Sequence, residues 1–171
     1  MKLLLLGDSL VEFHDWQASL PGHAVTNAGM AGETVAGLLA RLPSILPQPP
    51  EHEVVAVMIG ANNLVMEDYF FLEEYQTILD TIADLAPGSR VIVTGLPPFA
   101  LPWLADSAIP RLNQALASMA GRNNAEFLDL HAAFDTGCHP GTACFEHDGV
   151  HLTATGYALW ADRMQDLLEH H

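Results

Sequence analysis

Lys2-Leu3-Leu4-Leu5-Leu6-Gly7-Asp8-Ser9-Leu10 stands almost at the start of the chain, and its reading decides the fold. An unbroken apolar run closed by glycine reads as a buried parallel strand entering a tight turn, because a strand covered on both faces has no polar side to alternate with. Open α/β sheets place their chemistry at the carboxyl ends of such strands. Ser9 would there present its hydroxyl at the sheet's edge. The other reading of the same turn is that Asp8 or Ser9 caps the next helix.

Working outward, four more strand-like segments follow: His23 to Thr26, Val54 to Ile59, Arg90 to Thr94 and Glu126 to Leu128. Most are short β-branched or leucine-rich runs bounded by glycine, proline or polar residues. Between them, Thr34 to Leu46, Glu73 to Leu85 and Pro110 to Ala120 repeat apolar residues at helical spacing, and Thr153 to Leu167 closes the chain. Strand and helix in alternation predict right-handed crossovers and a parallel sheet covered on both faces, an α/β class. Neither a repeat nor a low-complexity linker interrupts it. Proline-rich Leu46-Pro47-Gln48-Pro49-Pro50 reads as a stiff surface connection.

Three further blocks accompany Gly7-Asp8-Ser9-Leu10. They are Asn27-Ala28-Gly29-Met30-Ala31-Gly32-Glu33-Thr34, Ile59-Gly60-Ala61-Asn62-Asn63 and Asp148-Gly149-Val150-His151. In order and spacing these resemble the four sequence blocks of the SGNH hydrolases, also called the GDSL esterase/lipase family. The resemblance implies a three-layer α/β/α, flavodoxin-like fold with a five-stranded parallel sheet. It implies Ser9 as nucleophile, His151 as its base and Asp148 as the residue orienting His151. The backbone N–H groups of Ser9 and Gly32 and the side-chain amide of Asn62 would form the oxyanion hole. One departure stands out: the third block often ends Gly-x-Asn-Asp, whereas Asn63 takes the final position here. With Asn62 retained, the expected effect is altered local hydrogen bonding with the oxyanion hole intact.

The chemistry also follows from the residue types. A serine hydroxyl is a poor nucleophile at neutral pH and needs a base to take its proton as it attacks a carbonyl. Histidine accepts that proton and returns it to the leaving group, which is worth about 10²- to 10⁴-fold in rate. Asp148 precedes His151 by three residues, so a local turn can place both on one face, the carboxylate towards Nδ1 and Nε2 towards Ser9. Donors already aimed at the developing oxyanion stabilise it without reorganising. Glycine at position 32 lets substrate approach the backbone and accepts a positive φ.

Composition fits a single enzyme domain over residues 1–167. The chain has 171 residues, half of them hydrophobic, and six basic against twenty-one acidic residues give a net charge of −15. Such a charge repels nucleic acid and anionic bilayers. The leucine run is too short for a secretory leader, and no stretch reaches the eighteen or so apolar residues of a membrane span. The expectation is a soluble, cytoplasmic protein without stable membrane insertion, its oligomeric state open. Leu168-Glu169-His170-His171 resembles the start of a purification tag and is set outside the domain.

Substrate choice is less legible. Leu96-Pro97-Pro98-Phe99-Ala100-Leu101-Pro102-Trp103-Leu104 is unusually apolar for a loop, and Phe99, Leu101 and Trp103 are candidate acyl-pocket residues. A loop packed on the core, or a partner-binding patch, is the alternative. Val65, Met66, Tyr69, Phe70 and Phe71 read first as core and second as the pocket's other wall. Cys138, His139, Cys144 and His147 carry zinc-competent donors, but Cys-x₅-Cys matches no usual zinc spacing; the cysteines read as free thiols, a disulfide requiring an oxidising environment. His14, His23, His52 and His131 read as ordinary histidines, His14 alone lying near the nucleophile.

The expected activity is hydrolysis of small-molecule carboxylic esters through an acyl-serine intermediate, without metal or other cofactor, with thioesters and lysophospholipids as related substrates. A carbohydrate O-acetyl esterase is the nearest alternative. A non-catalytic acyl- or glycan-binding module would not need nucleophile, base and oxyanion donors together. A nucleotide or flavin binder comes last, because the Ser9 turn lacks GxGxxG.

Overall fold

A computed structural model describes residues 1–46, 50–134 and 137–170; Pro47, Gln48 and Pro49 of the proline-rich connection lie outside them. The described elements run β1 (Lys2–Gly7), α1 (Ser9–Glu12), α2 (Trp16–Ser19), β2 (Ala24–Gly29), α3 (Val35–Ile45), β3 (Val54–Met58), α4 (Ala61–Val65), α5 (Leu72–Leu85), β4 (Arg90–Thr94), α6 (Ala108–Arg122), β5 (Glu126–Leu128), α7 (Leu130–Phe134) and α8 (Ala154–Glu169).

The five strands form one sheet in the order β2-β1-β3-β4-β5, every pairing parallel. β1 and β3 are central and buried on both faces, which is why Leu3 to Leu6 and Val54 to Met58 carry no polar alternation. Burying each leucine contributes about 1.5–3 kcal/mol. Strand order reverses between β1 and β3, the position where open sheets form a crevice beyond their carboxyl ends. Gly7 at the end of β1 lies in register with Gly29 of β2 and Met58 of β3. A Cβ at Gly7 would collide with the Met58 carbonyl oxygen and the Val11 side chain, so only glycine lets α1 fold back onto this junction.

The right-handed crossover rule sends α3, α5 and α6 to one face. α3 packs on α5, and Gln76 of α5 exchanges hydrogen bonds of 2.9 and 3.1 Å with Asn123 after α6. α2 and α7 both pack on α8, where Trp16 and Trp160 meet edge to face at 4.7 Å. The layers are those expected.

β2 differs from expectation: it runs to Gly29, beyond Thr26. It is an edge strand with one neighbour and much exposed surface, so its far half, Asn27-Ala28-Gly29, lacks the apolar signal of the central strands. α8 continues to Glu169 and buries Leu168, which therefore packs with the core residues.

Candidate active site

β1 delivers the nucleophile candidate. Asp8 follows the strand, its Oδ1 accepts the Leu10 N–H at 3.0 Å, and Ser9 becomes the first residue of α1. Both sequence readings of this turn hold together, since Asp8 caps the helix while Ser9 Oγ lies 3.0 Å from His151 Nε2. His151 Nδ1 lies 2.6 Å from Asp148 Oδ2. An ionised carboxylate only accepts, so Nδ1 carries the hydrogen and Nε2 is left to accept from the serine hydroxyl.

The Asp148–His151 turn is built locally. Asp148 Oδ1 accepts the N–H groups of Val150 and His151, each at 2.9 Å. Partial burial raises the Asp148 pKa, but the bond from the His151 ring, these two N–H bonds and the imidazole charge outweigh it and hold the carboxyl at about 2. The turn is anchored at both ends, Ala100 N–H donating to the Gly149 carbonyl at 3.1 Å and Glu146 N–H to the His151 carbonyl at 2.8 Å.

Gly32 lies in the exposed turn after β2 with φ +77°, and the space a Cβ would occupy is open. Asn62 donates from Nδ2 to the carbonyl of Glu33 at 3.0 Å, which ties its amide to the Gly32 turn and leaves its second N–H free for another acceptor. Around this turn lies bracing that the sequence did not reveal. The buried Glu33 carboxylate takes two hydrogen bonds from Arg41 of α3, and Arg41 also donates to the Ala28 carbonyl at 2.7 Å. Glu12 Oε2 accepts the Ala31 N–H at 2.6 Å.

Asn63 explains its own departure from the family block. Fully buried, it accepts the Val35 N–H at 2.9 Å through Oδ1 and donates to Asp68 Oδ2 at 2.7 Å through Nδ2. A carboxylate at position 63 could make the first bond but would face Asp68 with no donor for the second.

Beyond the cap role read from the sequence, Asp8 has a buried side that the sequence did not reveal. Its side chain is buried, and Oδ2 has no hydrogen-bond partner among the described residues. Burial pushes the carboxyl up to about 7, against the opposing Leu10 bond and His151 charge, with Glu33 adding to the rise. Tyr157 of α8 is pushed up by burial and by the Asp8 charge. His14 stacks on Tyr157 at 4.3 Å and bonds Ser19 Oγ at 2.7 Å.

Other candidates scatter. Phe99 and Leu101 line a cavity of about 330 Å³ with Leu104, Ile109 and His131, a lining that includes neither Ser9 nor His151. Trp103 stands outside that lining and donates from Nε1 to the Leu64 carbonyl at 3.2 Å. Of the stretch read first as core, only Phe71 is buried; Val65, Met66, Tyr69 and Phe70 are exposed, because they belong to the connection leaving β3 at the sheet's edge. Cys138 and Cys144 are not free thiols: the loop doubles back, brings their Cα atoms to 5.3 Å and bonds them as a disulfide. Among the described residues no group of three or more His, Cys, Asp or Glu side chains is placed to hold a metal ion.

Comparison with known proteins agrees with this layout. The model of the GDSL-like lipase/acylhydrolase family matches residues 5–159. Over 97% of its length the chain is 28% identical to platelet-activating factor acetylhydrolase IB subunit alpha2 of Rattus norvegicus, covering 75% of that protein. Its fold resembles that of a lipase/acylhydrolase from Enterococcus faecalis, with a TM-score of 0.79, 23% identity and coverage of 98% and 94% of the two chains. It also resembles a catalytic mutant of an acetylxylan esterase from Geobacillus stearothermophilus, with a TM-score of 0.78, 21% identity and coverage of 99% and 94%.

Proposed function

The chain belongs to the GDSL-like lipase/acylhydrolase family and is a hydrolase of ester bonds, and from that premise we propose that Ser9, His151 and Asp148 carry out the reaction with Gly32 and Asn62 as oxyanion donors. The observation that carries this reading is the continuous chain of contacts from Asp148 through His151 to Ser9, at 2.6 and 3.0 Å. His151 Nε2 takes the Ser9 proton as Oγ attacks the ester carbonyl. The imidazolium so formed is held by Asp148, and the carbonyl oxygen takes up negative charge near the N–H groups of Ser9 and Gly32 and the free Asn62 N–H. Collapse passes the proton from Nε2 to the departing alcohol. Water then repeats the cycle on acyl-Ser9, releasing the acid.

The relatives' names speak of acetyl esters, which supports a short acyl group as the first substrate to try. With a net charge of −15, nucleic acid is not expected as a partner. No described helix is long and apolar enough to cross a membrane. The cytoplasmic setting expected from the sequence would keep Cys138 and Cys144 reduced, whereas an oxidising compartment would keep their bond closed.

The test is hydrolysis of p-nitrophenyl esters from acetyl to long chain by the native protein, by Ser9→Ala and by His151→Ala. Activity should vanish with Ser9→Ala, and labelling of Ser9 by a fluorophosphonate should collapse with His151→Ala. Undiminished labelling in the histidine variant would overturn the proposed activation.

A further inference from the structure

We propose that the substrates of this site are esters bearing an apolar chain and no negative charge, selected by connections at the carboxyl edge of the sheet that expose apolar and acidic side chains and contribute no lysine or arginine. The proposal rests on the catalytic reading of Ser9 given above, and two observations carry it.

The first is where the exposed apolar surface lies. Apart from Met1, every large apolar side chain that stands exposed among the described residues lies in a connection leaving the carboxyl end of a strand. Phe13 follows β1, Met30 follows β2, Met66 and Phe70 follow β3, and Trp103 follows β4. Three of them adjoin segments that carry candidate site residues. The Phe13 ring is 5.8 Å from the His151 ring, Met30 is two residues from Gly32, and Trp103 is bonded to Leu64 of the helix that carries Asn62. Phe70 is 92% exposed, an arrangement that water disfavours and an apolar ligand would relieve.

The second is charge. The six cations are Lys2, Arg41, Arg90, Arg111, Arg122 and Arg163, and none falls in residues 8–23, 30–34, 59–71, 95–107 or 129–153, the connections leaving the carboxyl ends. Arg41 is engaged by Glu33. Arg111 of α6 shares a groove with Tyr69 and Leu64. Exposed Glu12, Asp15, Glu67, Asp68, Asp106 and Glu146 add negative charge to the same connections. Anionic substrates therefore meet a repulsive field with no arginine or lysine in those connections to receive them, while uncharged and cationic ones do not.

The experiment compares three esters of one acyl chain: the choline ester, its uncharged neohexyl isostere and the anionic isethionate ester. Each is assayed at about pH 8 in about 0.02 M and about 0.5 M salt, where screening lengths fall from about 20 to about 4 Å. At low salt kcat/KM for the isethionate ester should lie at least about tenfold below the neohexyl ester, and the gap should close at high salt. Lengthening the acyl chain should raise kcat/KM by up to about fourfold per buried methylene. That gain should shrink in Phe70→Ser and Met66→Ser, whose exposed positions keep the fold out of the comparison. Equal or faster hydrolysis of the anionic ester, above all if lost in Arg111→Ala, would overturn the proposal, and so would a flat chain-length profile. Neohexyl ester left intact by the native protein, or cleaved equally by Ser9→Ala, would instead overturn the catalytic reading on which it rests.

Discussion

Asp8 sets burial and charge against each other one residue before the nucleophile candidate. Its carboxyl titrates at about 7 in the folded protein against 3.8 ordinarily, mainly through burial. A raised acid pKa means that the folded state holds more protons than the unfolded one between these values. Stability contributed by the protonated group is thus fully present below about pH 4 and is lost as pH rises to about 7. Asp8→Asn keeps an oxygen for the Leu10 N–H and removes the titration. The variant's unfolding free energy, followed by denaturant titration, should gain on the native protein by up to about 4 kcal/mol across that window. Parallel curves would show that Asp8 is solvated or partnered in solution. Asn62→Ala should lower kcat by about 10²- to 10³-fold, the usual loss for one oxyanion donor, while leaving the unfolding midpoint near the native value. At this scale the sequence was legible for residue types with a chemical signature, in that Ser9, His151 and Asp148 meet in the folded chain. It was silent on the burial of Asp8 and on the pairing of Glu33 with Arg41, which come from neighbours supplied by other elements. The pairing of Cys138 with Cys144 was misread because a six-residue separation alone does not reveal whether the loop between them doubles back.

Among the elements, the central strands could be read from their apolar runs because both faces are buried, and β4 and β5 end where the sequence placed them. The far half of β2 could not, since its pairing with β1 is made by backbone groups and leaves little trace in side chains. The helices α1, α2, α4 and α7 are four or five residues long, barely one turn, so periodicity gives no signal for them. Yet α1 and α4 carry Ser9 and Asn62. α4 is locked to α3 through Asn63, Val35 and Asp68, and the charge on each side of that lock is testable. Asn63→Asp sets two carboxylates at hydrogen-bond distance and should lower stability by about 1–3 kcal/mol, with a fall in kcat as the Gly32 turn loosens. Exchanging the pair, Asn63→Asp with Asp68→Asn, restores one donor and should recover most of both losses. Thermal unfolding and steady-state kinetics on the three variants check this. A double variant as damaged as the single one would mean that position 63 needs the amide for a reason other than Asp68.

For the molecule as a whole, alternation of strand and helix was enough to predict a parallel five-stranded sheet, because chain connectivity and the crossover rule leave few alternatives. What alternation could not show is that the exposed apolar side chains gather at one edge, a property of packing and not of local pattern. The net charge of −15 has its own consequence. Self-repulsion destabilises the compact state, so the thermal midpoint at about pH 8 should rise as salt is increased from about 0.02 to about 0.5 M. A falling midpoint would mean that ion pairs such as Glu33–Arg41 and Arg90–Glu126 outweigh the repulsion. The bond between Ser9 and His151 spans 142 positions of the chain. During synthesis the hydroxyl therefore leaves the ribosome well before its base. On the proposed reading, a polypeptide that stops short of His151 carries an inert serine, so the onset of esterase activity would time this long-range closure.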